Sequence, residues 1–83
     1  MEGCRYDTQL LIGGRDMDVA AIGDHFNEAF DGDCLLVMGD ESLVKIHYHT
    51  NGPWRVPEWC AAVGEIYGIV VEDMVRQAKG LKG

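Results

Sequence analysis

Residues 42–50, "SLVKIHYHT", carry the clearest secondary-structure pattern in the chain and are followed at once by Asn51, Gly52 and Pro53. Its residues alternate between an apolar set and a polar set, as in a β-strand with one buried face. The apolar set is Val44, Ile46 and Tyr48, and the polar set is Lys45, His47 and His49. Because residues two apart on a strand point the same way, the pattern predicts a core-facing strand with two imidazoles side by side on its other face.

Three further strands are indicated by short apolar or alternating runs that end at turn residues. They are "RYDTQLLIGG" (5–14), "CLLVMGD" (34–40) and "IVVEDMV" (69–75). In the first of these, Asp7, Gln9 and Leu11 share the face opposite to Thr8, Leu10 and Ile12.

Two helices are predicted between the strands. The first covers 15–33, with Asp16 or Asp18 as its cap and Gly32 as its stop. Its apolar stripe is Val19, Ile22, Phe26, Ala29 and Phe30. The second begins at Pro53 or Pro57 and ends at Gly68. Its apolar stripe is Val56, Trp59 or Cys60, Val63 and Tyr67. Residues 76–83 are expected to form a helix fringe or a linker.

The resulting order, β-α-β-β-α-β, predicts an α+β two-layer sandwich in which two helices cover one face of a four-stranded sheet. This is the ferredoxin-like arrangement, with usual strand order 4-1-3-2. We expect one domain over residues 1–83, with a core over 5–77. In that strand order the start of the first strand lies beside the end of the third, so Asp7 is predicted to lie near His47 and His49.

Composition restricts the classes of partner. The 83 residues carry a net charge of −7, which argues against nucleic acid and anionic membrane surfaces, since both attract clustered Lys and Arg. The chain opens on no basic-then-apolar segment, so we expect no signal peptide. Its three cysteines lack CxxC spacing, and we therefore expect a cytoplasmic protein. Cys34 and Cys60 are predicted to be small core residues.

Asp7, His47 and His49 are the candidate metal ligands. Strand residues i and i+2 lie roughly 6.7 Å apart along the backbone, so two imidazoles can converge on one ion. A carboxylate from the neighbouring strand adds a third ligand and leaves positions open for water or substrate, which suits Zn²⁺ or another divalent metal. The alternative is that the two histidines lie on a solvent-exposed face and bind no metal. His-x-His alone is a weak motif and does not exclude this alternative.

Three segments resemble the middle domain of the catalytic component of bacterial fatty acid kinase (FakA), a DAK2-domain protein related to dihydroxyacetone kinases. They are "RYDTQLLIGG" (5–14), "GDESLVKIHYHTNGPWRV" (39–56) and "GEIYGIVVEDMVRQ" (64–77). The resemblance runs from Arg5 to about Gln77, and the block "VKIHYHTNGP" (44–53) is much more specific than a His-x-His pair alone.

The resemblance implies a domain excised from a larger multidomain kinase. That kinase phosphorylates a fatty acid held by a DegV-type fatty-acid-binding partner, which gives an acyl phosphate for phospholipid synthesis. ATP and Mg²⁺ are expected on another domain, because Gly13-Gly14 lacks the Lys-Ser/Thr of a phosphate-binding loop. We expect these 83 residues to be no catalyst by themselves.

In this family a cysteine and the two histidines of the His-x-His pair bind zinc. The resemblance therefore makes His47 and His49 metal ligands or catalytic groups, but the family's cysteine in Tyr-Cys-Thr is Asp7 here. Because a carboxylate is a harder ligand than a thiolate, we expect lower zinc affinity or altered metal selectivity. Cys4 is a poorer substitute ligand, since it shares neither the register nor the spacing of the strand. Lys45, on the same face, can attract an anionic group.

A second hypothesis needs no kinase. The chain would be a stand-alone ferredoxin-like module that binds a small ligand or forms a homodimer. An open sheet face that carries Leu11 and other apolar groups would dock onto a neighbouring domain or a second copy of the chain.

Overall fold

Four strands and three helices follow one another along residues 3–83, the part of the chain that the computed structural model describes. In chain order they are β1 (Tyr6–Gly13), α1 (Val19–Ala29), β2 (Gly32–Gly39), β3 (Leu43–Thr50), α2 (Arg55–Val63), β4 (Glu65–Asp73) and α3 (Met74–Ala78). The predicted α+β class and element order are confirmed, with one additional short helix after the last strand.

The four strands form one antiparallel sheet in the order β2-β3-β1-β4. This is the predicted order 4-1-3-2, counted from the other edge. Ile22 and Phe26 from α1 and Val56 and Cys60 from α2 belong to one core cluster with the inward residues of β1 and β3. Both helices therefore cover the same face of the sheet, and the opposite face, called the open face below, is left free of them.

The central strand β3 alternates as its sequence predicts. Val44, Ile46 and Tyr48 are almost completely buried under the helices. His47 and His49 are half-buried on the open face. On β1 the same alternation buries Thr8, Leu10 and Ile12. The two central strands thus fix which side chains are available to the open face.

Helix α1 is shorter than the predicted range 15–33. It begins after Asp18, whose side chain accepts a hydrogen bond from the Ala21 amide at 3.0 Å, and it ends at Ala29. Gly32 begins β2 instead of stopping the helix. The helix ends early because Phe30 adopts extended backbone angles and leads directly into the strand.

Helix α2 was predicted to reach Gly68, and this is wrong: it ends at Val63, and β4 begins at Glu65 instead of at residue 69. Tyr67 fits the helical spacing but lies in β4, opposite Leu11 of β1. Directly after the helix the chain comes close to β1: a Cβ atom on Gly64 would lie 2.5 Å from the carbonyl oxygen of Gly13. Gly68 has φ +60° and accompanies the register shift, or β-bulge, between β1 and β4.

The end of the chain also differs from the prediction. Met74 and Val75 were assigned to the last strand but begin α3, which Asp73 caps by accepting hydrogen bonds from the amides of Val75 and Arg76. Among residues 3–83, no helix is long and apolar enough to cross a membrane.

Candidate metal site

The strand pairing brings the three predicted ligands together on the open face. Asp7 of β1 lies directly opposite His49 of β3, and His47 lies two residues earlier on the same strand face. Both strands are central in the sheet, so each has hydrogen-bonded neighbours on both sides. Side chains on such strands are held more firmly than side chains on loops.

The ligand atoms lie at separations that suit one small ion. His47 Nε2 is 3.1 Å from Asp7 Oδ1 and His49 Nε2 is 3.8 Å from the same oxygen. The two Nε2 atoms are 3.3 Å apart. A tetrahedral ion with bonds of about 2.0–2.1 Å separates its ligand atoms by about 3.3–3.4 Å. The three atoms therefore form nearly one face of a zinc-sized tetrahedron.

The carboxylate oxygen at the centre of the group lacks a hydrogen-bond donor. Asp7 Oδ1 is buried and accepts no hydrogen bond from the residues of the described range, although His47 Nε2 is within 3.1 Å. That nitrogen is close enough, but its ring is not oriented as a donor toward the oxygen. A buried acceptor without a partner costs about 1–3 kcal/mol, which a cation bound at this oxygen would offset.

The two imidazole nitrogens also cannot satisfy all their polar contacts by hydrogen bonds. The two Nε2 atoms lie 3.3 Å from one another and 3.1 and 3.8 Å from the same oxygen, and a neutral imidazole nitrogen either donates or accepts. One hydrogen bond between the rings leaves the contact with Asp7 unsatisfied. A divalent ion satisfies both nitrogens and the oxygen at once, so the donor set and its geometry fit a metal.

The site is accessible from the open face. The exposed fractions of the Asp7, His47 and His49 side chains are 19%, 31% and 23%. These values lie between those of a closed structural site and those of freely solvated side chains. An ion held here would keep a side open to water or to a substrate group.

An ion pair braces the strand end that carries Asp7. Arg5 donates from Nε and Nη2 to Asp73 Oδ2 at 2.9 and 2.8 Å, which joins the start of β1 to the end of β4. The hydrogen bond from Arg5 is the main reason that the pKa of Asp73 lies below its ordinary value. Sequence reasoning missed this pair, because the two residues are 68 positions apart.

Apolar side chains lie to one side of the site on the open face. Leu36 of β2 lies opposite His47, and Val70 of β4 lies opposite Gln9. Other exposed apolar residues on the same face are Met38, Leu43 and Tyr67. Leu11 is half-buried among them. The open face therefore carries the apolar groups on which the expectation of a docking surface depends.

Lys45 is exposed on the open face, as the strand alternation predicts. It pairs with Leu11 of β1 and with Met38 of β2. It therefore lies two residues before His47, on the same face of β3.

Of the two cysteines predicted to lie in the core, one is buried and one is exposed. Cys60 is buried, as predicted, and its burial raises the pKa of the thiol to about 12. Cys34 was predicted to be a core residue, and this is wrong: it is exposed, with φ +54°. It lies within a β-bulge of β2, where the register with β3 shifts between Asp33 and Leu36. Together with Asp33 it approaches His49 from the side away from Asp7.

Comparison with known proteins supplies a family and several relatives. The family of FakA-like fatty acid kinase proteins, in its middle-domain model, matches residues 3–81. Uncharacterized proteins of Staphylococcus aureus strains USA300 and NCTC 8325 are each 44% identical over 46 residues, which is 55% of this chain. The matched segment is only 8% of the length of each relative, so the chain is similar to a small part of much longer proteins.

Proposed function

The chain belongs to the family of FakA-like fatty acid kinase middle domains, and on this premise we propose that it contributes a metal-binding, catalytic His-x-His site to a fatty acid kinase. The full kinase would phosphorylate a fatty acid that a partner protein holds. The observation that supports this most directly is the convergence of two imidazole nitrogens on a buried carboxylate oxygen without a donor.

Asp7, His47 and His49 would hold the ion. Bound there, a divalent ion would supply positive charge for orienting an acyl carboxylate and for offsetting the charge that develops during phosphoryl transfer. The chain's own contribution is positional: two central strands hold the imidazole nitrogens and the carboxylate oxygen at 3.1–3.8 Å from one another. Lys45, two residues before His47 on the same face of β3, would attract the anionic group toward the metal site.

The donor set restricts which metals the site would bind. Two imidazoles and one carboxylate suit Zn²⁺ and also Fe²⁺ or Mn²⁺, whereas a thiolate at position 7 would favour zinc. We therefore propose a site with weaker preference for zinc than a Cys-His-His site.

The nucleotide would bind elsewhere. Gly13-Gly14 at the end of β1 lacks the lysine and hydroxyl residues of a phosphate-binding loop. ATP and Mg²⁺ are accordingly proposed to bind a neighbouring domain of a longer chain, in the cytoplasm, and the fatty acid to bind a DegV-type partner protein. The 83 residues would then form one domain of a complex and would be inactive alone.

The apolar part of the open face favours contact with another protein surface. Leu36 and Met38 on β2 and Tyr67 and Val70 on β4 expose 44–54% of their area. In a kinase complex this surface would meet a neighbouring domain, with the metal site at the edge of the contact. A homodimer is the alternative, and analytical ultracentrifugation of the isolated chain distinguishes the two.

The test is reconstitution. The chain is combined with ATP, Mg²⁺, a nucleotide-binding kinase domain and a fatty-acid-binding partner, and the acyl phosphate is trapped with hydroxylamine. We expect acyl phosphate to form only when every component is present. Its rate of formation should fall by at least about 100-fold in His49→Ala, because this variant loses a group that stabilises charge in the transition state. His25→Ala is the matched control, because His25 stacks on Trp59 between the helices. Equal activity of all three proteins would refute the proposal.

A further inference from the structure

The β-bulge of β2 turns an otherwise buried residue toward His49. Asp33 pairs with His49, so Cys34 in a regular strand would pair with Tyr48 on the core face. The register shift instead places both Cys34 and Leu35 opposite Tyr48: Leu35 packs against the core and Cys34 is exposed. Bulges commonly re-aim a side chain in this way next to functional sites. We propose that Cys34, Asp33 and His49 form a second ligand set, for a thiolate-preferring divalent ion.

The geometry places three different ligand types within reach of one ion. A carboxylate oxygen of Asp33, Sγ of Cys34 and a ring nitrogen of His49 all lie within 4.8 Å of one another. His49 Nδ1 is 3.8 Å from Asp33 Oδ1, which is too long for a hydrogen bond but suits two ligands of one ion. Bonds of about 2.3 Å to sulfur and about 2.0–2.2 Å to nitrogen and oxygen require only small side-chain adjustments.

The chemistry of this set differs from that of the set around Asp7. A thiolate selects soft ions such as Cd²⁺ over hard ions such as Mg²⁺ and Mn²⁺. The set around Asp7 contains no sulfur ligand, whereas Cys34 supplies a thiolate from β2 to the set around Asp33. This inference concerns metal binding only and stands or falls without the proposed kinase role.

His49 belongs to both sets through different nitrogens. Its Nε2 faces Asp7 and its Nδ1 faces Asp33. A neutral imidazole has one lone pair in the ring plane, so the same ring serves one set at a time. The two sets therefore compete, and the chain is expected to bind one ion, with Cd²⁺ favouring Cys34 and harder ions favouring Asp7.

Cadmium titration tests the second set. The 83-residue chain, with its thiols reduced, is titrated with Cd²⁺ while the ultraviolet charge-transfer absorbance of the cadmium–thiolate bond is recorded. We expect the absorbance to saturate at one equivalent and to be lost completely in Cys34→Ser. Cys4→Ser is the matched control, because Cys4 is the other thiol near Asp33, and it should keep the full signal. His47→Ala should also keep the signal, because His47 belongs only to the other set.

The contrary results are equally distinct. Absorbance that survives in Cys34→Ser, or that disappears in Cys4→Ser, would overturn the assignment of the thiolate. Loss of the signal in His47→Ala would place Cys34 in the first set and overturn the claim of a second one. Failure of the kinase reconstitution leaves each of these outcomes unchanged, so the two proposals are tested separately.

Discussion

Asp7→Asn is expected to reverse its effect on stability when metal is added. Without metal, the wild-type chain holds a buried carboxylate oxygen that accepts no hydrogen bond from the described residues. The same carboxylate lies directly opposite Glu72 in the sheet, and like charges at opposed positions are destabilising. The asparagine removes the charge and adds an amide donor within reach of an imidazole. We expect the metal-free variant to be about 1–2 kcal/mol more stable than wild type.

With metal the order is reversed. A ligand present at about 1,000 times its Kd stabilises the folded state by about 4.1 kcal/mol. The wild type gains that amount, whereas Asp7→Asn keeps two imidazoles and loses the anionic ligand, so it gains much less. The wild type should then be the more stable protein, by up to about 2–3 kcal/mol, the value reached if the variant gains nothing from the metal.

Urea unfolding, followed by tryptophan fluorescence, measures both effects on the same proteins. Each is unfolded once in a chelator and once in excess Zn²⁺, at about pH 8, where protons do not compete with the metal. The reasoning is refuted if Asp7→Asn is less stable than wild type in the chelator, or if zinc raises both midpoints equally. Asp24→Asn, an exposed change on α1, is the control and should be neutral in both conditions.

Two substitutions and one alkylation experiment test the fold around the site. Gly64→Ala should destabilise the protein by about 1–3 kcal/mol in urea unfolding, because its Cβ atom would lie 2.5 Å from the Gly13 carbonyl oxygen. Asp73→Asn should lower the free energy of unfolding at neutral pH, and the difference from wild type should shrink below about pH 4. The pKa of Asp73 is lowered in the folded state, mainly by Arg5, so its stabilisation is complete above the unfolded pKa and is lost as the pH falls through the folded one. Cys60, whose pKa burial raises to about 12, should resist alkylation in the native protein and react on unfolding, as measured by mass spectrometry.

These changes have internal controls. Gly23→Ala in α1 meets only a methyl group of Val37 at 3.9 Å, so it should be stabilising by up to about 1 kcal/mol through helix propensity. A destabilised Gly23→Ala, or a neutral Gly64→Ala, would contradict the packing argument. Exposed Cys34 should be alkylated in the native state before Cys60, and the opposite order would show that the assigned burial is wrong. A pH-independent difference for Asp73→Asn would exclude the ion pair as its cause.

The sequence was sufficient to predict which side chains are buried where a strand alternates regularly between apolar and polar residues. Alternation along β3 predicted that Ile46 and Tyr48 are buried and that His47 and His49 share the open face. The strand order then placed Asp7 beside the histidines, because β1 and β3 are antiparallel neighbours. The role of the three residues as metal ligands stays a prediction.

The remaining differences come from long-range pairing that local patterns do not record. Tyr67 fits a helical apolar stripe as well as it fits a strand, and its pairing with Leu11 of β1 places it in β4. Cys34 begins an apolar run and would be buried in a regular strand, but the bulge in β2 exposes it. One extra residue in a strand reverses the side on which a side chain lies, so the second ligand set was invisible to sequence reasoning.

Zinc titration followed by NMR of the imidazole nitrogens shows whether Asp7, His47 and His49 bind a metal ion. If Asp7, His47 and His49 hold one divalent ion, the Nε2 resonances of His47 and His49 shift together and saturate at one equivalent of Zn²⁺. The response should be absent in Asp7→Ala and His47→Ala, and His25, stacked on Trp59, should not change in any of the proteins. If the two rings of β3 ignore zinc in the wild type, the converging nitrogens are not a metal site and the account is wrong.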